Sequence, residues 1–255
     1  MATRHETIGI KQAIRLEWME KTVNLILAGL EANAIRQELH EFFVGLQKTG
    51  GTEGSKNTRT FLVNNLMRVW VDPERELTAF RDAAIESLRR SSSNALPIHW
   101  AMISAAYPFW FNVARQTGRL LSLQEQVTQM QIINRMKEQY GDRQTISRYA
   151  KYVIRSFVAW GVLTDTGSKG CYAKSPKIQI DQVDRAALVY ESVLLAEQVP
   201  KIAISLVQSN PALFPFMSQS MTGVRLSQLS KRVDVSRYGL DDELLVLVTD
   251  KGAIN

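Results

Sequence analysis

Gln144-Thr-Ile-Ser-Arg-Tyr-Ala-Lys-Tyr-Val-Ile-Arg-Ser-Phe-Val-Ala-Trp-Gly-Val-Leu163 separates into two faces when wound as an α-helix. Ile146, Ala150, Val153, Ile154, Phe157 and Val158 share one side, at the three- and four-residue spacing that stacks side chains over successive turns. Gln144, Arg148, Lys151 and Arg155 recur at i, i+4, i+7 and i+11 along the other. One face is built for a core and the other for a polar partner.

The flanks of this helix point to the fold. Ser122-Leu-Gln-Glu125 has the spacing of a capping box and predicts a preceding helix that ends by Gly141. Its Val127, Met130, Ile133 and Met136 are expected to face the second helix, which Asp142 or Gln144/Thr145 opens and which runs to Gly161. Val162-Leu-Thr164, a turn at Gly167-Ser-Lys-Gly170, Cys171-Tyr-Ala173 and Ile178-Gln-Ile180 then predict a short β-hairpin. Helix, turn, helix and glycine-turn hairpin form the plan of a winged helix-turn-helix. The expected fold is mainly α: a helical N-terminal domain over 1–94, a winged helix-turn-helix domain over 95–185 and a C-terminal helical packing region over 186–255.

A helix divided in this way suits the major groove of duplex DNA, where Arg and Gln pair with base edges and Lys with phosphate. Arg143, Gln144, Arg148, Lys151 and Arg155 are the candidate contacts, and Thr145 and Ser147 near the helix start can donate to phosphates. Lys169 at the hairpin tip, with Lys174 and Lys177 behind it, would serve as a wing against the backbone. Charge supports this. The chain carries a formal net charge of +6, and residues 143–177 hold seven bases against the single acid Asp165, so the remainder is neutral. A basic excess confined to one stretch marks a polyanion surface.

Other classes find less support. With 45% hydrophobic and 22% charged residues the chain is neither disordered nor fibrous. One cysteine, Cys171, permits no internal disulfide, and no Cys/His cluster is spaced for zinc, which together suit a reducing cytoplasm. Residues 1–10 lack the apolar stretch of a secretory signal. Residues 95–114 carry no charge and are long enough to span a bilayer, but Pro97, His99, Ser104, Pro108 and Asn112 make insertion costly. A buried core helix, kinked or ended near Pro108, is expected instead.

The first ninety residues read as helices over 10–30, 33–46 and 57–70, with a fourth opened by Asp72-Pro-Glu74. Arg90-Ser-Ser-Ser-Asn94 is the candidate linker, and Lys48-Thr-Gly-Gly-Thr-Glu-Gly-Ser-Lys56 a glycine loop which, with Arg59 and Arg68, is a weak phosphate candidate. A helix is expected to open at Asp181-Gln-Val-Asp184 and reach Val199. Leu226-Ser-Gln-Leu-Ser-Lys-Arg-Val-Asp-Val-Ser-Arg237 resembles a second helix-turn-helix, but Asp241, Asp242 and Glu243 would repel phosphate and residues 244–248 read as a buried strand. No nucleotide fingerprint, nucleophile elbow or paired-acid motif is present, and His5, His40 and His99 lack metal-ligand spacing. No enzyme activity, cofactor or metal is expected.

Two stretches carry a resemblance to a family. Ser55-Lys-Asn-Thr-Arg-Thr-Phe-Leu-Val-Asn-Asn-Leu66 has a small-polar-then-basic helix start, and Gln144 to Leu163 is a Thr-containing helix ending in a Gly-hydrophobic pair. In both, and in the order of helical domain, winged helix and helical C-terminal part, the chain resembles the BrxA proteins of bacteriophage-exclusion (BREX) systems. The resemblance implies a non-enzymatic DNA-binding subunit of a phage-defence locus, with double-stranded DNA and other defence proteins as partners and no membrane. A transcriptional regulator, or an assembly subunit that docks proteins through its winged helix and the tail 241–248, are the alternatives.

Overall fold

The uncharged run lies at the centre of the molecule and forms two helices. Pro108 lacks an amide hydrogen and cannot continue the helix before it, so Tyr107 leaves the helical region (φ −131°, ψ 84°) and Pro108 starts a new helix at a position that needs no donor. The computed structural model describes residues 4–5, 8–48, 56–197, 199, 201–238 and 242–248. The helices are α1 (Leu16–Leu27), α2 (Ala32–Lys48), α3 (Lys56–Leu66), α4 (Thr78–Arg90), α5 (Leu96–Ala106), α6 (Pro108–Leu121), α7 (Gln129–Tyr140), α8 (Gln144–Ala159), α9 (Val183–Ala196), α10 (Ile204–Gln208) and α11 (Gly223–Leu229). The strands are β1 (Gln126–Thr128), β2 (Leu163–Asp165), β3 (Cys171–Lys174), β4 (Ile178–Ile180), β5 (Ile202–Ala203), β6 (Phe216–Ser218), β7 (Val233–Tyr238) and β8 (Asp242–Leu247). The described chain is thus mainly helical, with three small sheets: antiparallel β1-β3-β2, a parallel β4–β6 pair, and antiparallel β5-β8-β7.

Helix α5 is buried on nearly every side and packs along α9. Trp100 anchors an aromatic cluster with Trp110, Phe157, Trp160, Phe214 and Phe216, at ring-centroid distances of 5.0–6.1 Å. These rings come from α5, α6, α8 and the stretch after α10, and the buried apolar cluster they belong to also includes residues of the first ninety-four, such as Trp18, Phe43 and Trp70. Residues 91–94 are tied to the fold as well. The Arg185 side chain on α9 donates to the carbonyls of Ser91, Ser93 and Asn94, pinning the expected linker to the fold.

Several expected elements are corrected. Residues 10–14 are not helical: Ile10 and Ile14 are buried, Ile14 N donates to Ser156 Oγ (2.8 Å) and Trp160 Nε1 donates to Ile14 O (2.9 Å), which ties this segment to α8. Helix α3 ends at Leu66 and widens into a π turn over Met67–Val71, and the Asp72-Pro-Glu74 start yields a 3-10 turn, Arg75–Leu77, before α4. Residues 122–125 do not open a helix. The Ser122 hydroxyl instead donates to Arg119 O at the end of α6, and the capping box sits six residues on: Gln131 N donates to Thr128 Oγ1 (3.2 Å) and Thr128 N to Gln131 Oε1 (2.7 Å). The apolar face differs as well. Ile132, Ile133 and Met136 are buried on α7 and Val127 on β1, while Met130 stands 57% exposed. Finally, β4 leaves the hairpin to pair in parallel with β6, and the expected helical tail contains strands β5, β6 and β7 besides the expected strand β8.

Candidate nucleic-acid interface

Helix α8 is one continuous helix, as its two faces predict. Ile146, Ala150, Val153, Ile154 and Phe157 are buried against the core and Val158 is half-buried. The turn from α7 is short because Gly141 adopts a positive φ of +86°, a conformation that favours glycine. Arg143 is the extended residue before the helix, and its guanidinium donates to Tyr140 O (3.0 Å).

On the outward side Arg143, Gln144, Arg148, Lys151 and Arg155 are exposed, and Thr145 and Ser147 are half-buried. At 1.5 Å of rise per residue the row from Gln144 to Arg155 runs about 16 Å. Arg148 and Lys151 have no acidic partner among the described residues, and the Arg148 guanidinium lies over the Tyr149 ring, 5.4 Å from its centroid. Arg155 differs. It donates to both carboxylate oxygens of Asp165 on β2 (3.2 and 3.1 Å), so the single acid of the basic stretch neutralises one end of the row.

The hairpin residues fall into two groups. Lys169 is exposed in the turn between β2 and β3. That turn is fixed to the start of α7 by Gln129 N donating to Gly170 O (2.7 Å). Lys174 lies at the opposite end of β3, paired with Leu163 across the ladder and 3.9 Å from Glu125 Oε2. Lys174 and Lys177 line a cleft bounded by α6, α9 and β6, apart from the helix row. Sequence reasoning passed over Tyr149 and Tyr152, half-buried and stacked at 6.5 Å beside the row. Their signal was legible: two aromatic residues interleaved with the bases of a divided helix.

The remaining candidates have structural roles. The second helix-turn-helix does not form, because α11 ends at Leu229 and residues 233–238 are strand β7. β8 is a strand as expected, with Leu245 buried and residues 244, 246 and 247 half-buried, and Glu243 accepts from the backbone N of Gly223 at the start of α11. Residues 49–55 of the glycine loop lie outside the described residues, and Arg68 is paired with Glu74 and sits over Tyr107. The Cys171 thiol donates to Gln126 Oε1 (3.4 Å). His99 is fully buried against Trp70, and burial pushes its imidazole down to about 3, so it is neutral at pH 7. Among the described residues no cluster of His, Cys, Asp and Glu is grouped to hold a metal, and no helix is long and apolar enough to cross a membrane.

Compared with protein-family models, with curated proteins and with solved structures, the chain gives no match.

Proposed function

We propose that α6 to β3 form a winged helix that binds double-stranded DNA without catalysis, with α8 in the major groove and the Lys169 turn against the backbone. The observation that carries this reading is the exposed row of Gln144, Arg148 and Lys151, whose two cations have no acidic partner among the described residues. The order α6, β1, α7, α8, β2, turn, β3 supports it, as does the sheet order β1-β3-β2, in which the strand after the turn lies between the other two. Arg143, Thr145 and Ser147 sit at the end of α8 where phosphate contacts are usual, and the Tyr149 ring stiffens Arg148. The resemblance to BrxA proteins makes a cytoplasmic accessory of a phage-defence system the preferred setting, ahead of a transcriptional regulator. A protein-docking role for the same unit is favoured by Leu123 and Met130, exposed apolar side chains on either side of β1.

Gel shifts on random-sequence duplex at several salt concentrations test the proposal. Contacts from Arg143, Arg148, Lys151 and Lys169 give a log-log slope of roughly −3.6, because each neutralised phosphate releases condensed cations. Replacing Arg148 and Lys151 with Ala flattens the slope by about 1.8 and leaves the fold intact, since neither belongs to the buried stripe. A double variant with the wild-type affinity and slope refutes DNA binding by α8 and puts protein docking first.

A further inference from the structure

Between the base of the hairpin and the stretch after α9 lies a cleft of about 550 Å³, within the size range of small-molecule sites. Its lining includes two lysines, Lys174 and Lys177, and among the described residues no acidic one. Lys174 has only the distant, 88% exposed Glu125 as a partner, and Lys177 has no acidic partner among the described residues. Two ammonium groups over one cleft repel each other and are relieved by a ligand with two negative charges. Lysine binds phosphate as a point charge.

The rest of the lining is preformed. Tyr190 OH and Ser218 Oγ share a hydrogen bond of 2.6 Å, and Gln208 is held from both ends, accepting from Ser220 Oγ (2.7 Å) and donating to Met221 O (2.6 Å). Phe214 and Phe216 contribute an aromatic wall that belongs to the Trp100 cluster and is therefore rigid. Cationic rim, hydroxyl and amide donors and a fixed aromatic wall together describe a two-part ligand.

We infer that this cleft binds a small phosphorylated molecule bearing an aromatic or heteroaromatic ring, of the size of a nucleoside monophosphate. Lys174 and Lys177 take the phosphate, Ser218 and Gln208 meet the polar middle, and the ring rests on the Phe214–Phe216 wall. The cleft is separate from the DNA surface proposed for α8, because none of its lining residues belongs to α8.

Isothermal titration of the full chain with AMP, GMP, CMP and UMP tests the inference, with adenosine and inorganic phosphate as partial ligands. At least one nucleotide is expected to bind more than tenfold more tightly than either partial ligand. Lys174→Gln combined with Lys177→Gln is expected to weaken it at least tenfold with an unchanged thermal midpoint, since both side chains are exposed. The Arg148→Ala, Lys151→Ala double variant is expected to bind the nucleotide normally, which separates this site from the α8 surface. Failure of all four nucleotides to bind at millimolar concentration overturns the inference. So does inorganic phosphate binding as tightly as the nucleotides, or nucleotide binding that depends on Arg148 and Lys151 rather than on the two cleft lysines.

Discussion

Under the proposed function, removing one carboxylate is expected to strengthen the binding of duplex DNA. Asp165 holds Arg155 through one guanidinium nitrogen, Nη1, shared between both carboxylate oxygens, and both side chains are about half exposed, 51% and 53%. A pair so exposed contributes about 0–1 kcal/mol to stability, so Asp165→Asn leaves the fold unharmed. In the free protein the pair occupies Arg155 and places a negative charge beside the DNA surface proposed for α8. Freed, Arg155 extends the α8 row by one turn and adds one phosphate contact. Counterion release per contact contributes about 0.9 in log-log slope, which at 0.1 M salt corresponds to roughly eightfold in affinity relative to 1 M. Part of that gain already exists if Arg155 exchanges partners on binding, so the expected strengthening is about three- to eightfold, with the slope moving from roughly −3.6 to roughly −4.5. Fluorescence anisotropy of a labelled random duplex between 0.05 and about 0.3 M salt reads both quantities. The reasoning fails if D165N shows wild-type affinity and slope, because Arg155 would then lie off the contact surface. It fails equally if the gain persists in D165N combined with Arg155→Ala.

Three further outcomes follow from other parts of the fold. Glu191 on α9 is fully buried and accepts from Arg232 Nε (2.6 Å), Arg232 Nη2 (2.8 Å) and Ser230 Oγ (2.9 Å), so Arg232→Met strands a carboxylate and costs about 3 kcal/mol in urea unfolding. Adding Glu191→Leu to it restores most of that loss. His99 has a folded value of about 3 against an ordinary 6.5, so the unfolded chain takes up the proton first as pH falls. Its contribution declines by about 1.4 kcal/mol per pH unit from pH 6.5 towards 3, and His99→Met shrinks the stability difference between pH 7 and pH 5 by about 2 kcal/mol. A side chain at Gly118 would put its Cβ 1.9 Å from Pro211 O, so Gly118→Ala forces α6 away from the 3-10 turn Pro211–Leu213 and lowers stability by about 2–3 kcal/mol, measurable as a drop in Tm.

What was legible in the sequence is what depends on local periodicity. The split of α8 into apolar and basic faces, and the burial of residues 95–114 with a break at Pro108, follow from spacing and from proline's missing donor. Pairings across long separations were not legible. β4 has three residues and reads naturally as a continuation of the hairpin, yet its partner is β6, beyond the whole of α9. β5 has two residues, too few for any alternation to show. Arg155 and Asp165 lie on different elements, so their pairing depends on how β2 folds back beneath α8. Ser122 and Thr128 both head plausible capping boxes, and only the end of α6, which uses the Ser122 hydroxyl, decides between them.

The sheet β5-β8-β7 has its middle strand last in chain order. Residues 202–203 and 233–238 lack their ladder partner until residues 242–247 have been synthesised, and α11 lacks the Glu243 carboxylate at its start for the same interval. Arg232, which forms an ion pair with the buried Glu191 of α9, and Ser230, which donates to it, immediately precede β7 of this sheet. A nascent chain therefore lacks the ladder that holds β7, and with it Arg232 opposite Glu191, until β8 has been synthesised. On a ribosome, that interval is when the helical body is complete in sequence but still open on one side, and when a chaperone would find it.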